Sequence, residues 1–147
     1  MIRFLLPAAL ALLLAIQPAA ARPGSTDDAI RAVLGDPAPY RSAVAALQEA
    51  IRSQDAAGVA ALARYPLRTD VGGRVRLVPT AAALIAQYGL LMTPEIAAAV
   101  LDQPWDDLFV NAQGVMLGNG QIWLAGICAD PSCAVVEVKV VTIQSGP

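Results

Sequence analysis

The sequence predicts an α+β domain in which N-terminal helices pack on an antiparallel β-sheet. Three observations point there. Apolar residues recur with helical spacing through the first half of the chain, as at Tyr40, Val44, Leu47 and Ile51. After Pro104 the period shortens to two, as at Val136, Val138 and Val140. Glycine-containing turns, Gly72-Gly73 and Gly118-Asn119-Gly120, divide the extended runs.

The chain has 147 residues, of which 56% are hydrophobic and 15% charged; it carries a net charge of −2, two cysteines and no histidine. That length fits one domain. Without histidine, His-based triads, His–metal centres and His proton shuttles are excluded. The weak acidity argues against a nucleic-acid partner, which selects basic surfaces. Neither a metal nor a cofactor is implied.

Part of the apolar share belongs to residues 1–21. Arg3 gives a positive start, Leu5 to Ile16 is an apolar run broken only by Pro7, and Ala19-Ala20-Ala21 supplies small residues for cleavage. These features define a signal peptide cleaved after Ala21. The run is shorter than the roughly 20 residues of a membrane span, and no later segment is longer, so no membrane span is expected. The expected location is the periplasm or the secreted space. Loss of Arg3 with the leader leaves nine basic residues against 12 acidic ones.

Residues 22–35 read as an N-terminal extension with one short helix, capped by Thr26, dipole-matched by Asp27 and Asp28, and stopped by Gly35. Ile30, Val33 and Leu34 form its apolar stripe. The domain proper spans 36–147. Asp36-Pro37 opens a second helix, with Arg41, Gln48 and Arg52 opposite its apolar face. Asp55 caps a third, carrying Val59 and Leu62 inward and ending near Tyr65, because Pro66 disfavours a helical residue before it. Leu67 to Leu77 alternates around Gly72-Gly73 as a hairpin. Thr80 starts a helix through Leu84, Ile85, Tyr88 and Leu91, and Thr93-Pro94-Glu95 starts another. Leu108–Asn111, Val115–Leu117, Ile122–Ile127 and Ala134–Ile143 then form an antiparallel meander.

Cys128 and Cys133 bracket Asp-Pro-Ser, which favours a turn. In an exported protein the pair is expected as a disulfide. A redox pair would need Cys-x-x-Cys spacing, and a metal site would need more ligands.

The order of helices, hairpin, helices and meander resembles the nuclear transport factor 2-like, or SnoaL-like, superfamily over about residues 36–143. The stretches Ala63-Arg64-Tyr65-Pro66-Leu67-Arg68 and Phe109 to Trp123 look like segments of its small exported bacterial members. The resemblance implies a cone-like sheet around an apolar cavity. It does not by itself assign a function, since one fold hosts many.

Trp105-Asp106-Asp107 is the most suggestive chemical cluster. Paired carboxylates beside an indole could make Asp106 or Asp107 an acid or base, although a capping role explains them more simply. Tyr65 and Tyr88 could line the mouth of a cone, and Trp105 and Trp123 its wall; each is equally at home in a core. Arg64, Arg68, Arg74 and Arg76 gather around the hairpin, either as a solvated edge or as a patch for an anionic partner. With no catalytic motif, the reading from sequence is a non-catalytic module for a small apolar ligand or another envelope protein. The alternative is an isomerase, hydratase or cyclase using a cavity carboxylate. A third possibility is a homodimer through the exposed sheet face.

Overall fold

The structure, a computed structural model, describes residues 24–146; the expected signal peptide lies outside the described residues. Side-chain caps set the helix starts. Ser25, not Thr26, caps α1 (Thr26–Val33): its hydroxyl accepts the Asp28 N–H at 3.2 Å, and the Asp28 carboxylate accepts the Ser25 N–H at 3.3 Å. Thr26 is the first helical residue, buried, and its hydroxyl donates to the Trp105 carbonyl at 2.8 Å. Both residues suit a cap locally; the distant acceptor at Trp105 decides between them. Val33, expected inward, is 51% exposed.

The second helix, α2 (Pro37–Arg52), starts at the Asp36 cap and buries the predicted face of Tyr40, Val44, Leu47 and Ile51. Gln48 departs from its expected outward position. Its side-chain amide donates to the carbonyls of Val100 and Gln103, each at 2.9 Å. It thereby satisfies backbone oxygens at the end of α6 (Pro94–Leu101) that no helical partner reaches. The third helix, α3 (Ala56–Leu62), is capped by Asp55 and runs straight into β1 (Ala63–Val71), so it stops three residues before the expected end at Tyr65. Between β2 (Arg74–Val78) and α6, the expected single helix is two pieces, α4 (Ala81–Ala86) and α5 (Tyr88–Leu91), broken at Gln87.

After a 3-10 turn at Trp105–Asp107, the meander comprises β3 (Phe109–Asn111), β4 (Gly114–Leu117), β5 (Ile122–Cys128) and β6 (Val136–Gln144). The α+β class holds. The six strands form one sheet in the order β2-β1-β6-β5-β4-β3, curled but not closed. The sheet is mixed rather than wholly antiparallel, because β1 pairs parallel with β6. Parallel neighbours need a long connection, and here everything from β2 to β5 supplies it.

The helices cover one face of the sheet. Between the layers lie Leu47, Leu67, Leu84, Ile96, Leu117, Ile122, Leu124 and Ile143, all less than 2% exposed. These side chains pack the interface between the helices and the sheet. Burying each such side chain contributes roughly 2 kcal/mol, so an interior void would be costly to keep.

Cys128 and Cys133 are disulfide-bonded. Asp130 organises the loop between and beyond them. Its carboxylate accepts the Ser132 hydroxyl and the N–H groups of Ser132, Val135 and Ala134 at 2.9, 2.8 and 3.3 Å. These donors, the Ser132 hydroxyl first, hold its pKa at about 2 against an ordinary 3.8. A carboxyl depressed on folding stabilises above its unfolded pKa and loses that contribution as pH falls through the folded value. Asp130→Asn is thus expected to lower the urea midpoint of the wild type at neutral pH, with the difference closing between pH about 4 and about 2. A difference independent of pH would contradict this assignment.

Candidate functional site

The sheet face away from the helices is open. Strand pairing aligns one residue from each strand across it: Leu77, Arg68, Thr142, Trp123, Met116 and Phe109. None of the six is buried; Leu77 is 66% and Phe109 52% exposed. Cross-strand neighbours on one face are close enough for their side chains to interact. The Phe109 and Trp123 rings meet edge to face over Met116, with centroids 6.3 Å apart.

Turn chemistry sets this register. The Asn111 side chain accepts the Gln113 N–H at 2.8 Å and closes the β3–β4 turn. Gly118 and Gly120, at φ 65° and 95°, allow the β4–β5 turn. Between β5 and β6 the register shifts, so that Trp123 faces Thr142 while Leu124 faces Val140. The extra residue, Val141, is a bulge, which bends the strand beside Trp123, and both residues line one groove. Two grooves flank that indole, of about 540 and 250 Å³, and Trp123 and Gln144 line both. Asp70 borders the larger and Arg68 the smaller.

The other residues singled out from sequence do not join this surface. Trp105 anchors α1: its indole N–H donates to Asp27 at 3.0 Å, and the Arg41 guanidinium, 4.3 Å from the Trp105 ring centroid, pairs with the same carboxylate at 2.7 Å. Asp106 and Asp107 are both exposed on the 3-10 turn. They do not cap it; Pro104 occupies the cap position. The Tyr65 hydroxyl donates to the Ala60 carbonyl at 2.8 Å, and burial raises its pKa. Tyr88 borders a separate cleft of about 530 Å³ with Ile51, Met92 and Leu101. Burial, then the negative charge of Asp55, raises the Tyr88 pKa.

Met116, Phe109 and Gln144 were not singled out from sequence. For Met116 and Phe109 the signal was present in the spacing of the two turns, since antiparallel register follows once turn positions are known; Gln144 lies beyond the β5–β6 register shift, which no turn announces. Among the described residues, no group of three or more metal-ligating side chains comes together, and no helix is long and apolar enough to cross a membrane. In comparisons with known proteins, the chain matches no family model, no curated protein and no solved structure.

Proposed function

We propose that the protein is an exported, non-catalytic binding module that meets a protein partner of the cell envelope through the open face of its sheet. The observation that carries this reading is the row from Leu77 to Phe109, which crosses all six strands with none of its residues buried. Aromatic and methionine side chains beside an arginine are the types enriched where proteins associate. The packed layer between helices and sheet supports a surface partner over a ligand enclosed there. The curled sheet backed by helices supports the nuclear transport factor 2-like reading. The leader pattern of residues 1–21 supports export, and the disulfide is compatible with an oxidising compartment. An isomerase, hydratase or cyclase built on Asp106 or Asp107 needs a buried carboxylate; both are exposed, and the geometry gives that alternative no support.

The test is capture from envelope extract by the wild type and by a Phe109→Ala, Trp123→Ala variant with an unchanged circular dichroism spectrum. A partner retained by the first and lost by the second supports the reading. Equal capture by both, or by neither, overturns it. Light scattering of the purified protein separates a heterologous partner from a second copy on the same face.

A further inference from the structure

The two edges of the sheet differ. At one end, β3 is three residues long and α1 packs against it. Short, covered edges resist unwanted pairing. At the other end, β2 has five residues and pairs only with β1. Its register with β1 is unbroken from Leu67↔Val78 to Val71↔Arg74, with no bulge and no proline. Gly72 and Gly73, at φ 62° and 70°, form the two-residue turn whose twist suits a hairpin. On its outer side, alternate backbone N–H and C=O groups of β2 have no strand to pair with among the described residues.

The side chains of this edge alternate in chemistry. Val78 is 2% exposed and faces the helices, so Arg76 and Arg74 share that face. There they line a cleft of about 200 Å³ with Thr69 and Leu90. Neither arginine makes an ion pair among the described residues. Val75 and Leu77 point the other way and are 61% and 66% exposed. An edge guarded only against pairing needs charge and gains nothing from exposed aliphatic residues. This one carries cations on one face, aliphatics on the other and free backbone groups between.

We propose that β2 is a strand-addition site for an extended protein segment in which acidic and apolar residues alternate. A strand added here continues the pleat. Its residues on one face lie beside Arg74 and Arg76, and those on the other beside Val75 and Leu77. Carboxylates answer the first pair and aliphatic side chains the second, while backbone hydrogen bonds supply affinity. The inference rests on the binding-module reading and adds the chemistry of the partner.

The probe is a short synthetic peptide alternating glutamate and valine, followed by fluorescence polarisation and by amide shifts of the purified, disulfide-bonded protein. Binding is expected to shift amides of β2 and to weaken with salt. Arg74→Glu with Arg76→Glu should weaken it by about tenfold or more and admit a lysine–valine peptide instead. Peptides N-methylated at alternate residues separate strand addition from simple charge attraction. One methylated set should lose binding and the other keep it, because only one edge of the peptide meets β2. Absence of binding, or equal binding by both methylated sets, overturns the proposal. Binding lost on Phe109→Ala, Trp123→Ala but unaffected by the arginine changes also overturns it, while leaving the open face as the binding surface.

Discussion

Leu47→Ala is expected to destabilise the protein by about 3 kcal/mol, the middle of the range for a leucine truncated in a packed interior. Leu47 is fully buried on the face of α2 that lies over β6. Its removal takes away transfer free energy and leaves a void that the surrounding side chains only partly refill. For a domain of this size the thermal midpoint should fall by about 10–15 °C. The void is apolar, so benzene should bind in it and recover part of the loss in the variant but not in the wild type. Val33→Ala, at a site 51% exposed, should change stability by less than about 0.5 kcal/mol. A Leu47→Ala melting temperature within a few degrees of wild type would show that the layer is not packed as described. The outcome bears on function, because it distinguishes a filled domain from a hollow one waiting for a ligand.

The buried face of α2 was legible in the sequence because one helix decides it: four apolar residues at helical spacing suffice. The hairpin and the meander were legible for the same reason, since each is built from neighbours along the chain. What escaped depends on partners far away. Gln48 has the polarity of a surface residue, and only the end of α6, more than 50 positions on, makes it half-buried. Trp105 was associated with its neighbours Asp106 and Asp107, yet the carboxylate it meets is Asp27. The parallel pairing of β1 with β6 leaves no local trace in either strand. On β2, alternation alone would send Val75 and Leu77 inward; the single buried residue Val78 fixes the opposite sense and turns Arg74 and Arg76 toward the helices. Trp123 was recognised as a strand residue, but its facing depended on the register shift between β5 and β6. The candidate surface was therefore present in the sequence as residue types and absent as an arrangement.

Gly114→Ala is expected to damage that arrangement more than any single change on its surface. Gly114 is buried at the start of β4 with φ +144°, a conformation that side chains disfavour. A Cβ there would overlap the Leu124 carbonyl oxygen and lie 3.4 Å from the Ala125 Cα. Both obstacles are backbone of the neighbouring strand, so no rotamer change relieves them. Backbone strain and overpacking together should cost about 3 kcal/mol or more. Gly35→Ala is the informative comparison: φ is +102°, and nothing lies within 4 Å of the added carbon. That variant carries only the conformational penalty, about 1–2 kcal/mol. If Gly114→Ala folds, β4 must move away from β5, and Met116 and Phe109 move with it because β3 is registered on β4. Near-ultraviolet circular dichroism should then show loss of the edge-to-face contact between Phe109 and Trp123, and any capture through the proposed open face should fall even at temperatures where the variant is folded. Urea unfolding of the two glycine variants checks the energetic part. Equal losses at the two sites would mean that the β4–β5 backbones are not in the close contact on which the open face depends.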